Sequence, residues 1–127
     1  MADVVYVLDT GLTIITDRLM GGGAEPKYLG WGTGATAAVP TNTNLQTPSG
    51  EARVLGTGSR VQTSTANDTY MVLGTIACTT SAQAITEVAL FDATTAGNCF
   101  LRATFDPINV NVGDSITFTI KTQFNQA

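Results

Sequence analysis

Apolar and polar residues alternate along the last part of the chain, where Ile116, Phe118 and Ile120 are separated by Thr117, Thr119 and Lys121. A period of two is the mark of a strand buried on one face only. The same alternation runs through Ile108, Val110 and Val112, with Asn109 and Asn111 between them and a turn at Gly113-Asp114. Thr69 to Thr79 reads as a strand with Tyr70, Val72, Ile76 and Cys78 on one face and Met71, Leu73 and Ala77 on the other. A turn at Thr65 to Asn67 and Asp68 precedes it. Glu51 to Thr63 reads as a strand broken or bulged near Gly56 and Gly58.

A different pattern occupies the middle of the sequence. Ala84 to Asp92 and Cys99 to Phe105 are predicted as the arms of a hairpin, with Gly97 and Asn98 able to take positive φ in the link. In the first arm Ile85, Ala89 and Phe91 oppose Val88 and Leu90, so both faces are apolar. Such a strand belongs in the centre of a sheet covered on both sides. Asp106-Pro107 is expected to break the chain after the hairpin.

The N-terminal third is less regular. Residues 3–8 are expected as an edge strand. In Gly11 to Met20, Leu12, Ile15 and Leu19 fit one helical face, with Thr10 as cap and Gly21-Gly22-Gly23 as terminator. The β-branched Thr13, Ile14, Ile15 and Thr16 oppose the helix, which is the favoured reading nonetheless. Tyr28 to Trp31 is predicted as a strand whose flanking glycines admit a close neighbour. Residues 35–50 are loop by composition, and a loop of that length is expected to bind or pack on something. Together these elements predict a mainly β chain: one domain holding an antiparallel β-sandwich or barrel-like fold over 24–127, preceded by an N-terminal segment over 1–23 with a short helix.

Composition narrows the function more than the fold. Charged residues make up 13% of 127 residues, with a net charge of −4 and the six cations scattered. A nucleic-acid partner is not expected without a basic stripe. The start of the chain has no basic n-region and no run approaches membrane-spanning length, so a soluble, cytoplasmically made protein is expected. Cys78 and Cys99 flank the first hairpin arm; if the three strands form a meander they lie too far apart to bridge, and are read as buried free thiols.

Catalytic chemistry finds little to work with. The chain has no histidine, which removes Ser-His-Asp and Cys-His catalysis and most zinc sites. The Gly30, Gly32 and Gly34 spacing lacks the Gly-Lys-Ser/Thr that a phosphate loop needs. Glu87 sits in an apolar strand and is the best candidate for a perturbed acid; its structural alternative is exposure or pairing with Arg53 or Arg102. Asp92, Asn98, Asp106 and Asp114 fit turns better than a Ca²⁺ loop. No catalytic residue, metal ligand or cofactor is predicted, and a small hydrolase or a ligand-binding β-domain ranks behind a structural role.

Four stretches carry a resemblance: Pro26 to Gly34, Asn67 to Tyr70, Ile85 to Asp92, and Val112 to Phe118. In this order and spacing the chain resembles small virion proteins of tailed bacteriophages, from about Gly11 onward. That resemblance implies a virion part without catalysis and assigns no functional residue. Small size and the lack of fibre repeats or heptads favour a capsid-decoration protein on the outer capsid surface, a trimer bridging major-capsid subunits. A tail or tail-fibre component, structural or receptor-binding, is the alternative. Tyr6, Tyr28, Trp31 and Phe124 are the aromatic candidates for contacts with other chains. The N-terminal segment and the 35–50 loop are the expected contact regions.

Overall fold

The structure is a computed structural model, and residues 4–126 are described. Its elements in chain order are β1 (Val4–Val7), α1 (Asp9–Leu19), β2 (Tyr28–Gly32), β3 (Val54–Leu55), β4 (Thr57–Val61), β5 (Thr69–Ala77), β6 (Gln83–Phe91), β7 (Cys99–Val110) and β8 (Ser115–Gln123). They form two antiparallel sheets, ordered β1-β7-β6-β2-β3 and β4-β5-β8. The fold is thus an open sandwich and not a closed barrel. Asp3, which begins the expected N-terminal strand, lies outside the described residues.

The hairpin of β6 and β7 holds the middle of the larger sheet, as its two apolar faces predict. On the inner face Leu29, Trp31, Ile85 and Leu90 pack with Val72 and Ile76 of the smaller sheet. On the outer face Ala89, Phe91 and Cys99 pack with Leu8 and with Leu45 of the long loop. Burial of these side chains at roughly 25 cal/mol per Å² of apolar surface drives the layering.

Three expectations are corrected here. The strand before the hairpin is not its meander partner: β5 pairs with β4 and β8 in the other sheet. The chain crosses between sheets after Cys78 and again before Asp114, and the crossings are tied by Cys78 N–H to Asp114 O and Gly113 N–H to Cys78 O. Both cysteines are nonetheless buried and free. Asp106-Pro107 does not break β7, which continues to Val110 and excludes Val112. The ladder instead skips there, from Ile85 opposite Ile108 to Glu87 opposite Thr104, so no pairing partner asks Pro107 for an N–H. In the hairpin link the positive φ values fall on Ala96 and Gly97, not on Asn98.

The helix forms, but with a different buried face. Gly11 and Ile14 are buried, whereas Leu12 and Leu19 are 57% and 84% exposed. A Cβ on Gly11 would strike Phe100 O, so the glycine lets α1 lie close against β7. Thr10 is not the cap; Leu8 holds that position, and the Thr10 hydroxyl donates to Cys99 O at 2.6 Å. The predicted break near Gly56 is a change of sheet, with β3 on the larger and β4 on the smaller.

Candidate functional site

The site is built on the outer face of the larger sheet. In the pairing register Gly32 lies opposite Glu87, and Ala89 lies opposite Arg102, which in turn faces Tyr6. Cross-strand partners share a face, so Glu87 and Arg102 are diagonal neighbours within reach of long side chains. Arg102 Nε donates to Glu87 Oε1 at 2.8 Å, and the two side chains are 1% and 0% exposed. Of the two expected arginine partners, Arg102 is the one present.

The pair organises the long loop. Glu87 Oε2 accepts from Gly34 N–H at 2.9 Å and Thr47 N–H at 2.8 Å, while Oε1 accepts from Gln46 N–H at 2.8 Å. Arg102 donates to Thr36 O at 2.8 Å and to Asn42 Oδ1 at 3.1 Å. Thr86 Oγ1 adds a bond to Gly34 O at 2.7 Å. Two charged side chains thereby satisfy loop backbone that no ladder reaches. Glycine is required opposite the carboxylate: a Cβ at Gly32 would collide with Thr47 O, and one at Gly34 would lie 2.6 Å from Glu87 Oε2.

This geometry removes Glu87 from catalysis. Its oxygens accept four N–H bonds and no part of it reaches solvent, so a substrate has no approach. Among the described residues no cluster of three or more His, Cys, Asp or Glu is placed to hold a metal. Asp92 Oδ1 accepts from Asn98 N–H, and Asp114 Oδ2 from Asn111 N–H, both at 2.8 Å, as turn residues do. Arg53 lies 3.4 Å over the Phe91 ring and donates to Ala93 O and Ala96 O, stapling the hairpin tip. Burial pushes the Cys99 thiol up to about 12, against weaker opposing effects of Arg53 and Arg102. The Asp68 carboxyl is held far below its ordinary value by N–H bonds from Thr65, Thr63 and Ser64.

The aromatic contact candidates fare unequally. Trp31 is 2% exposed within the core and has no surface to offer another chain, because its strand is covered by the smaller sheet. Tyr28 is half-buried against the Leu45, Ala89 and Phe91 cluster. Tyr6 and Phe124 are exposed at 44% and 54%. They do not converge: Tyr6 neighbours Arg102, whereas Phe124 borders a cavity of about 490 Å³ with Ile14, Leu19 and Tyr70. Elsewhere an open cleft of about 720 Å³ separates the two sheets, walled by Leu101, Phe105, Ile116 and Phe118.

The sequence reading missed the polar residues between Thr36 and Gln46 that stand over Arg102. A usable signal was the Gly30, Gly32, Gly34 spacing along and just past one strand, with a single carboxylate on an apolar neighbour: small residues there make room for something large opposite.

Comparison with known proteins adds one match. A family model described as Podophage GP4 fiber I protein gp80 covers residues 16–123, and the chain belongs to that family. No curated protein and no solved structure matches the chain. The family agrees with the resemblance to tailed-phage virion structural proteins, and it favours the tail or fibre alternative over capsid decoration.

Proposed function

We propose that this member of the podophage GP4 fiber I family is a structural subunit of a phage tail fibre, without catalytic activity, that assembles with further copies of itself. The family match over residues 16–123 carries the reading. The fold supports it. The one carboxylate in an apolar strand is sealed beneath the loop, and the thiol of Cys99 is buried and protonated. Large apolar side chains remain exposed on several sides, with Leu19, Met20, Val5 and Phe124 all above half of their full exposure. Apolar surface of this kind is what subunits bury when they associate.

Labelling intact virions with an antibody to this chain and imaging them tests the location. Label on the tail fibres is expected. Label confined to the head would overturn the fibre reading and return a decoration role, with the major capsid protein as partner. Light scattering on the purified chain tests self-assembly: a closed oligomer, expected as a trimer, supports it, and a monomer at all concentrations counts against it.

A further inference from the structure

Helix α1 carries two apolar stripes, and the fold of one chain uses only one of them. Gly11 and Ile14 are buried against β7. Leu12, Ile15 and Leu19 form a second stripe about 100° further round the helix, at the i, i+3, i+7 spacing. Leu12 and Leu19 are exposed, and Ile15 is half-buried where the stripe joins the core. The C-cap residue Met20, 81% exposed, extends the stripe past the helix end. Phe124 extends it sideways, bordering the apolar cavity of about 490 Å³ together with Ile15 and Leu19.

The stripe carries no charge. Asp9, Asp17 and Arg18 fall outside the arc of about 60° that holds Leu12, Ile15 and Leu19, and Arg18 Nη1 donates to Gly23 O at 3.3 Å. Thr16, beside the stripe, donates its hydroxyl to Leu12 O at 2.9 Å, so its polar atom is already satisfied. Around a symmetry axis identical residues meet, and an uncharged surface can do so without burying like charges together.

The area suffices. Fully burying a Leu or Met removes on the order of 100 Å² from water, and a Phe about 150–250 Å². At their exposures Leu12, Leu19, Met20 and Phe124 offer about 300 Å² of apolar surface per copy. Apolar atoms make up a little over half of a typical contact, which brings two copies to about 1,000 Å², the threshold of a specific one.

The spacing also selects a number. As a heptad, Leu12 and Leu19 take position a and Ile15 takes d. Leucine at a with isoleucine at d favours three or four helices over two, because a β-branched side chain fits poorly where it points straight at a single partner. So short a repeat cannot hold helices together unaided, but α1 is already fixed on β7 by Gly11 and Ile14.

We infer that α1 joins the subunits: three copies set their helices around a three-fold axis, with Leu12, Ile15 and Leu19 in the seam and Met20 and Phe124 at its rim. The inference deepens the self-assembly reading and rests on it, naming the surface that reading leaves open.

The test is light scattering on the size-fractionated full chain and on Leu12→Glu, Leu19→Glu and Leu55→Glu. Leu55 is 63% exposed on β3, three strands from β7, and serves as the control. All three side chains are more than half exposed, so each variant is expected to keep the parent's circular dichroism and, at monomeric dilution, its urea midpoint. The parent and Leu55→Glu are expected as trimers. Leu12→Glu and Leu19→Glu are expected as monomers, with half-dissociation at a concentration at least about tenfold higher than the parent's. A parent trimer that both α1 variants leave intact, or that Leu55→Glu dissociates equally, overturns this surface and leaves self-assembly standing. A parent dimer overturns the three-fold seam. A parent that is monomeric at every concentration removes the self-assembly reading and this inference with it, and leaves the stripe to a different virion protein.

Discussion

The long loop and the open edge of the sandwich reverse what regularity leads one to expect. Residues 34–47 contain no strand, yet Gly34, Thr36, Asn42, Gln46 and Thr47 are each tied to a buried ion pair. β1 and β8 are regular strands, yet each pairs on one side only, and the cleft between the sheets beside them is open. An irregular segment becomes fixed when buried partners answer its backbone groups. A regular strand remains incomplete when nothing covers its edge.

The strongest way to break this contrast is to remove one half of the pair. Glu87→Gln and Arg102→Met each strand a charge or its donors in the sheet, and each is expected to cost about 3–5 kcal/mol in urea unfolding. Amide exchange at Gly34, Gln46 and Thr47 should accelerate in the same variants. A cost under about 1 kcal/mol would mean that the loop is not organised by the pair.

Next in size is a pair of truncations on the inner face. Leu90→Ala removes a fully buried side chain and is expected to cost about 2–5 kcal/mol. Phe118, which lines the open cleft and meets Phe105 at a centroid distance of 6.2 Å, should cost about half as much when cut to Ala. Equal losses would show that the cleft is filled in solution.

Acid sensitivity sharpens the comparison at two carboxylates, one closing a tight turn and one joining two distant loops. Asp68 and Glu51 both have carboxyl groups lowered by hydrogen bonds, Asp68 from Thr65, Thr63 and Ser64, and Glu51 from Thr79 and Thr80. A depressed folded pKa gives stability that is present above the unfolded value and lost as pH falls through the folded one. Thermal stability should therefore decline below about pH 4, and Asp68→Asn should flatten that slope.

The smallest effect is chemical. With Cys99 raised to about 12, its thiol stays protonated at pH 8, and a thiol reagent should not modify it until the chain is unfolded. For stability the sign is opposite to the carboxylates: this contribution is complete below the unfolded value near 9 and is lost as pH rises toward 12. Rapid labelling of Cys99 in the folded protein would show that the outer face opens.

Much of the fold could be read from local pattern. The period of two in Ser115–Gln123, the two apolar faces of β6 and the glycine stop after α1 are all properties of a few neighbouring residues. The buried face of the helix was not legible, because it depends on Gly11 meeting Phe100, a residue 89 positions away in the chain. The polar loop over Arg102 was not legible either, since threonines and asparagines in a loop look alike whether pinned or solvated.

By itself the sequence determined the strands, the absence of histidine chemistry and the resemblance to phage virion proteins, since each rests on residue type and short-range period. Only the tertiary structure decided that β5 and β6 belong to different sheets and that Glu87 meets Arg102 and not Arg53. It also set which aromatics remain outside. Those outcomes depend on register and on packing between segments far apart in the chain, where moving one strand by a single residue would turn every side chain to the other face.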